Sequence, residues 1–288
     1  MPPRLGAFLA IVFWGVSFVA TKAAVGQISP VALIFARAGL AALFLASVLL
    51  ARGESPWPPR SALRALAVMG FVGVTFHQTL QAYALTLTSA VNTGWLVGLT
   101  PIWSALFAAW TLRERFSSGK LAGLALGFLG ALLVVTRGHG LAALALPSTR
   151  GDLLILASTV NWAFYSVLGH GTLRSLGATR ATAGAMLLGW LMLAPVFVWS
   201  RAWSEYAHLD AVGWAALLFL AIAASGLGYL FWYGALARIE TSRVASFLYL
   251  EPLVTLAAAA SLLGEPVSAS TVGGGLLLLG GVVLVQKS

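Results

Sequence analysis

Polar side chains that can hydrogen-bond a small molecule interrupt otherwise apolar stretches of this sequence. His77, Gln78 and Gln81 fall within five residues, and His77 and Gln81, four apart, share one face of a helix. Asn92 and Trp95 follow at a spacing of three. A polar group among apolar residues needs a partner, and three such groups exceed what one contact between helices requires. We therefore predict that they line a cavity, with structural hydrogen bonds between helices as the alternative.

Aromatic residues with a polar atom form a second group of candidates. Trp and Tyr combine an apolar face with one hydrogen-bond donor, which suits an amphiphilic or aromatic solute. They normally favour the lipid headgroup region, but several lie far from the ends of their apolar runs. Ordinary packing within a helical bundle is the alternative for each of them. The predicted substrate-binding set is Trp14, His77, Gln78, Gln81, Asn92, Trp95, Trp162, Tyr165, Tyr229, Tyr233, Ser246 and Tyr249.

Glu251 is the one acidic residue predicted well inside an apolar run, where an ionised carboxylate is costly. The following residue, Pro252, lacks an N–H and leaves the carbonyl four residues earlier without its helical donor. A protonated Glu251 could donate to such a carbonyl, or Arg37 could pair with it. Tyr249 and Glu251 differ by about 200° around a helix, so we do not expect both to face one cavity squarely. We assign Pro101, Glu251 and Pro252 to a gating or hinge role.

The elements that position these residues are apolar helices. Of the 288 residues, 60% are hydrophobic and only 9% charged, against about 25% charged in an ordinary soluble domain, which excludes a water-soluble globular enzyme. The apolar runs are continuous rather than alternating, which favours helices over strands. We predict an all-α integral membrane protein with ten transmembrane helices, each of about 18–25 residues and long enough to span a bilayer. These runs lie at about 5–25, 30–51, 62–83, 87–111, 119–136, 151–170, 180–199, 211–235, 243–262 and 269–286.

The basic residues predict the orientation of these helices. Counted over alternate loops, Lys and Arg divide twelve to four, and Arg37 lies inside the second run. The richer side is expected to be cytoplasmic, which places both termini in the cytoplasm. The net charge of +9 does not indicate nucleic acid as a partner, because the basic residues are scattered one to three at a time. The absence of cysteine excludes disulfides and thiolate metal sites.

The sequence also repeats itself at a fixed offset of 151 residues, as in 252 − 101 and 265 − 114. Five predicted helices fit within that offset, and an odd number of crossings inverts the second copy relative to the first. We predict a five-helix repeat over 1–138, an extracytoplasmic connector over 139–150 and an inverted repeat over 151–288. Inverted repeats are typical of secondary transporters. The repeated pairs are Ala84-Leu85 with Ala235-Leu236, Leu99 and Pro101 with Leu250 and Pro252, Leu112 and Glu114 with Leu263 and Glu265, and Gly123 and Gly130 with Gly274 and Gly281.

Several motifs resemble the drug/metabolite transporter superfamily, in particular its EamA-type ten-helix exporters. They are Phe13-Trp14-Gly15, Phe35-Ala36-Arg37-Ala38, the segment from Thr241-Ser242 to Leu248-Tyr249-Leu250-Glu251-Pro252, and Leu263-Gly264-Glu265-Pro266 before a glycine-rich last helix. The resemblance covers essentially the whole chain, and the abundance of Trp and Tyr is most similar to amino-acid exporters of the YddG type. It implies a bundle that opens to alternate sides of a bacterial inner membrane. The sequence departs from the pattern at Thr100, which corresponds to Glu251.

The predicted function is that of a secondary transporter exporting small metabolites, chiefly amino acids including aromatic ones. Export of drugs or other small metabolites is one alternative, and a membrane-embedded enzyme or assembly protein with a lipid-filled cavity is another. The sequence contains no phosphate-binding loop of an ATP-driven pump and no motif of a membrane protease or hydrolase, so no enzyme activity, cofactor or metal is expected. The expected partners are the substrate and the bilayer. Gly119, Gly123 and Gly127 form a close-packing face that we expect to be used within one chain, with a homodimer as the alternative to a monomer.

Overall fold

The computed structural model describes residues 1–103, 106–107, 117–137, 139, 142, 147–236, 238, 244 and 246–287, which form helices and turns without a strand. The repeat residues Leu112 and Glu114, the motif residues Thr241 and Ser242, and most of the connector 139–150 lie outside the described residues. In chain order the helices are α1 Pro3–Val25, α2 Pro30–Ala51, α3 Arg60–Leu87, α4 Ala90–Val97, α5 Ser118–Thr136, α6 Pro147–Leu176, α7 Ala178–Trp199, α8 Ala211–Ala235, α9 Glu251–Leu262 and α10 Ala269–Lys287.

Six of the described helices are long and apolar enough to cross a membrane: α1, α2, α3, α5, α7 and α8. The helix Phe247–Leu262, which contains α9, and the segment Ala269–Val285 of α10 are shorter but also apolar. Large apolar side chains such as Leu43, Leu132 and Val198 are more than half exposed on the outside of the bundle. Such a surface is stable against lipid and unstable against water. The fold is therefore that of a multi-pass membrane protein.

Polar caps define where several helices begin. Ser29, Ser89 and Ser117 each accept a hydrogen bond from a backbone N–H in the first turn of α2, α4 and α5. Asp210 accepts one from Gly213 N–H at the start of α8. The Gly213 N–H, with Gln27 as a second donor, lowers the pKa of Asp210 below its usual range. These caps satisfy backbone donors that the helix itself leaves unpaired, so they fix the ends of the elements that build the bundle.

Two long helices change their winding near the middle. In α3 the stretch Gly70–Phe76 is π-helical, and in α8 the stretch Phe219–Leu227 is π-helical. Adding 151 to 70 and 76 gives 221 and 227, so the two stretches occupy corresponding positions of the sequence repeat. A π-helical turn closes i to i+5 hydrogen bonds and thereby rotates the residues that follow it. His77 directly follows the π-helical stretch of α3, and Tyr229 follows that of α8 after one intervening residue.

Helical structure is also interrupted next to Pro101 and Pro252, the two prolines for which a hinge role is predicted. The helix α4 ends at Val97, a turn occupies residues 98–99, and helical structure resumes over 100–103, which contains Pro101. A 3-10 turn, Ser246–Leu250, precedes α9, in which Pro252 occupies the first turn. Proline is compatible with the first turn of a helix and not with its interior. Both prolines therefore lie at breaks between helical segments.

Close packing between helices relies on glycine. A Cβ added to Gly130 of α5 would lie 2.5 Å from the carbonyl oxygen of Gly274 in α10, and one added to Gly274 would lie 2.8 Å from the carbonyl oxygen of Gly130. Gly123 and Gly281 approach each other in the same way. The glycine-rich face of α5 is thus used within the chain. Elsewhere α1 packs against the end of α8 and against α9, and α6 packs against the end of α3.

Candidate functional site

A cavity of about 480 Å³ lies between the helices, with walls from α1, α2, α3, α6, α8 and the breaks around Pro101 and Glu251. Much of its lining comes from residues with polar atoms, although the helices that carry them are apolar. Of the residues singled out from the sequence, the lining includes Trp14, His77, Gln78, Gln81, Pro101, Trp162, Tyr165, Tyr229, Tyr233, Tyr249 and Glu251. Their contact with a substrate stays a prediction.

One wall is aromatic and is built by α1 and α8. The ring of Trp14 lies 5.5 Å from that of Tyr229 at an interplanar angle of 64° and 5.3 Å from that of Trp232. Tyr229 in turn stacks on Tyr233, with ring centroids 6.2 Å apart. Trp14 Nε1 donates to the Ala224 carbonyl oxygen at 3.1 Å, inside the π-helical stretch of α8. The rings are thereby held in place before any ligand binds.

A second part of the lining is mixed and is built by α3 and α6. The His77 ring lies 5.0 Å from Trp162, which lies 5.2 Å from Tyr165. The Asn161 side-chain nitrogen donates to the Val72 carbonyl at 3.1 Å and lies 3.3 Å from His77 Nδ1. Because Val72 belongs to the π-helical stretch of α3, this contact ties the irregular segment to α6. This part of the lining therefore combines an imidazole with two adjacent aromatic rings.

Glutamine side chains in α3 supply further hydrogen-bonding capacity. Gln81 Nε2 donates to Ser158 Oγ at 3.2 Å. Gln78 is 6% exposed, and its Oε1 has no hydrogen-bond partner among the described residues. A buried acceptor without a hydrogen bond costs free energy, and a donor on a bound ligand would recover that cost.

Two residues of opposite charge line the same cavity. Arg37 of α2 donates from Nε to Ser225 Oγ at 2.8 Å, and Glu251 lies at the start of α9. The ion pair between Arg37 and Glu251 that the sequence left open is not formed among the described residues. Tyr249 and Glu251 both line the cavity, contrary to the expectation from α-helical rotation. The expectation assumed one continuous helix, whereas Tyr249 lies in the 3-10 turn before α9 begins.

The protein-family comparison matches the model described as the EamA-like transporter family to residues 2–136 and again to residues 149–286. The chain belongs to the EamA-like transporter family. This agrees with the resemblance to the drug/metabolite transporter superfamily found in the motifs. The EamA-family chain is accordingly a membrane transporter by family.

Relatives of this EamA-family chain extend over nearly its whole length. A protein named an uncharacterized transporter in Archaeoglobus fulgidus is 32% identical over 280 residues, which cover 97% of each chain. A protein named a probable amino-acid metabolite efflux pump in Salmonella typhimurium is 29% identical over 96% of this chain and 92% of that relative. A solved crystal structure, 22% identical, covers 99% of this chain and 96% of its own with a TM-score of 0.67, which shows a shared fold.

Asn92 and Trp95, both predicted to line the cavity, lie elsewhere in the packed interior of the EamA-family chain. Trp95 is 1% exposed and belongs to an apolar core, where its ring occupies the space left by Gly275 of α10. Asn92 Nδ2 donates to Asp152 Oδ2 at 2.9 Å. The spacing of three placed these residues on one helical face correctly, but that face points toward α5, α6 and α10. Of the remaining candidates, Pro252 is buried outside the lining, and the Ser246 side chain lies outside the described residues.

A buried polar network that the sequence did not reveal surrounds Asp152 at the start of α6. Asp152 is fully buried, accepts hydrogen bonds from Thr88 and Asn92, and lies 3.8 Å from an Arg137 guanidinium nitrogen. Arg137 also donates to Thr88 Oγ1 at 3.3 Å. Because Asp152 lies close to Arg150 at the end of an apolar run, it is indistinguishable in sequence from a solvated end charge. Only the contacts between α4, α5 and α6 reveal its burial.

The same end of the bundle is tied together by two further charged residues. Lys22 Nζ donates to the carbonyl oxygens of Leu85 and Thr88, each at 2.6 Å. The two Glu265 carboxylate oxygens accept from the backbone N–H groups of Ala90 and Val91, each at 2.9 Å. Since Leu85 also lines the cavity, these bonds lie next to one end of it. We name Lys22, Thr88, Asn92, Arg137, Asp152 and Glu265 the end network.

Proposed function

We propose that this EamA-family protein is a secondary transporter that exports small metabolites, chiefly amino acids including aromatic ones, across the bacterial inner membrane by alternating access. The observation that carries the proposal is a cavity of about 480 Å³ inside an apolar bundle, lined by aromatic and hydrogen-bonding side chains. Ligand sites in proteins combine such apolar walls with a few convergent polar groups. A relative named a probable amino-acid metabolite efflux pump supports this substrate class.

The proposal includes ten membrane crossings with both termini cytoplasmic, divided into inverted repeats over 1–138 and 151–288 joined by the connector 139–150. Its supports are the two family matches at 2–136 and 149–286 and the corresponding π-helical stretches of α3 and α8. Pro101 and Pro252 act in it as hinges, and Glu251 takes part in gating, because helical structure breaks next to both prolines. Rocking of one repeat against the other would expose the cavity to each side in turn.

Single-cysteine labelling tests this orientation, because the chain contains no natural cysteine. Ser204→Cys lies in the exposed turn between α7 and α8, and Ser55→Cys lies in the exposed loop between α2 and α3. With a membrane-impermeant maleimide on intact cells, we expect Ser204→Cys to react and Ser55→Cys to react only after lysis. The reverse pattern would overturn the predicted orientation of the termini.

Flux into proteoliposomes tests transport itself. We expect saturable uptake of radiolabelled L-phenylalanine or another amino acid of a full panel, reduced by an excess of the unlabelled compound. Flux equal to that of empty vesicles for every amino acid would reject the proposed substrate class, and a positive result with drugs alone would favour the drug exporter. Repeating the measurement with an imposed pH gradient tests coupling to protons.

A further inference from the structure

Arg37 and Glu251 place opposite charges in one cavity without pairing to each other, and this arrangement extends the proposed function. Arg37 lies in the N-terminal half of α2, and Glu251 begins α9, so separate helices carry the two groups. In the part of the chain that the structure describes, the hydrogen bond of the Arg37 side chain goes to a neutral hydroxyl, that of Ser225. A charge within an apolar bundle is costly unless it has a partner or serves a ligand.

The Arg37 guanidinium keeps donors available for an anion. Nε binds Ser225, and the planar group carries five N–H donors in a fixed fork. That fork matches the two oxygens of a carboxylate, which it binds in a bidentate manner. The hydrogen bond to Ser225 also orients the group from one side, so its remaining donors have a defined direction.

Glu251 supplies the opposite charge at a position where the two repeats differ. The corresponding residue of the first repeat is Thr100, which also lines the cavity (251 − 100 = 151). A carboxylate accepts hydrogen bonds from an ammonium group, whereas a threonine hydroxyl provides no compensating charge. The cavity therefore has one carboxyl group and one guanidinium group on different helices, and the rings of Trp14 and Tyr229 line it as well.

We infer that Arg37 binds the α-carboxylate and Glu251 the α-ammonium group of a zwitterionic amino acid whose side chain packs against the aromatic rings. A zwitterion brings one charge of each sign, so each charge of the cavity gains a partner and the net charge of the site is unchanged. Contact with Glu251 in the first turn of α9 also connects substrate binding to the hinge at Pro252. This inference rests on the proposed function and deepens it.

The first test uses the unmodified protein and three compounds of similar shape. L-Phenylalanine carries both charges, L-phenylalaninamide lacks the carboxylate, and 3-phenylpropionate lacks the ammonium group. We expect phenylalanine to compete for transport at least about tenfold better than either analogue, as the loss of one charge-assisted contact predicts. If another amino acid is transported faster, the comparison uses that amino acid, its amide and its deaminated acid.

The second test asks whether Arg37 recognises the carboxylate of the substrate and Glu251 its ammonium group. Arg37→Gln should raise the KM for phenylalanine at least about tenfold and remove most of the preference over the amide, while Arg37→Lys should retain part of it. Glu251→Gln should remove the preference over phenylpropionate instead. A merely structural role would lower flux for all compounds without changing these ratios. Arg52→Gln and Glu54→Gln, both exposed in the loop after α2, are matched controls that should transport normally.

The outcomes separate the two levels of the proposal. Transport of amino acids with equal preference for the amide, or with ratios unchanged in Arg37→Gln and Glu251→Gln, would overturn the zwitterion site and leave the exporter standing. Failure of the unmodified protein to transport any amino acid would overturn the proposed function and this inference with it.

Discussion

The end network and the cavity both contain charged residues that lie within the bundle, but the number of protein partners around each charge differs. In the end network Asp152 has Thr88, Asn92 and Arg137 around it, and Glu265 accepts two backbone N–H groups. In the cavity, among the residues that the structure describes, Arg37 donates to one neutral partner, Ser225. A buried charge with a complete set of protein partners holds helices together, whereas one with spare capacity can serve a ligand. The structural region and the candidate site therefore differ in their hydrogen-bond partners and also in burial, since Asp152 is fully buried and Arg37 and Glu251 are half-buried.

The largest expected effect comes from two tryptophans, Trp95 and Trp162, which the sequence analysis both predicted to line the cavity. Trp95→Ala removes a fully buried ring from the apolar core and should lower the free energy of unfolding by about 3–5 kcal/mol. Trp162→Ala removes a half-buried cavity wall and should cost less stability while reducing transport. Thermal unfolding in detergent and flux in proteoliposomes measure the two effects. Equal destabilisation by both, with equal flux, would place Trp162 in the core rather than the site.

Asp152→Asn should destabilise the protein less than Trp95→Ala does, and its main effect should be on stability rather than on transport. The change removes the charge facing Arg137 and gives Asn92 an amide in place of a carboxylate oxygen, so we expect about 1–3 kcal/mol of destabilisation. Asp210→Asn, at the exposed cap of α8, is the matched control and should change stability less. Unfolding in detergent checks both variants. A variant Asp152→Asn that is fully stable but has altered substrate preference would move the end network into the candidate site.

The smallest expected effect comes from Gln81, whose side chain bonds Ser158 from within the cavity wall. Gln81→Leu should change stability by only about 0.5–1.5 kcal/mol, the usual net contribution of one hydrogen bond. If Gln81 also contacts substrate, its loss should raise KM more than it lowers kcat, which initial-rate flux measurements can separate. Ser158→Ala breaks the same bond from the other side and is the control. Equal transport defects in both variants would indicate that the bond, rather than Gln81 itself, matters.

Much of the membrane character of this protein could be predicted from local sequence. Apolar runs and their breakers located several helices within a few residues, as for α2 at Pro30–Ala51, because each helix satisfies its own backbone hydrogen bonds within the run. The prediction of continuous helices over 87–111 and 243–262 is wrong, because α4 ends at Val97 and α9 begins only at Glu251. The motifs around Trp14, Arg37 and Glu251 indicated the family that the comparison confirmed. The orientation of the termini and the division into repeats stay predictions.

The composition and order of residues by themselves determined that this chain is an apolar helical membrane protein of a transporter family. Only the tertiary structure decided which polar residues meet. Asn92 and Asp152 are 60 residues apart yet share a hydrogen bond, and no local pattern encodes such a pairing. The π-helical stretches of α3 and α8 and the 3-10 turn before Glu251 also rotate side chains away from the faces that regular helices predict. The cavity depends on these long-range contacts and local irregularities. Hydropathy could not predict them, because it reports only how much apolar surface each helix can place in lipid.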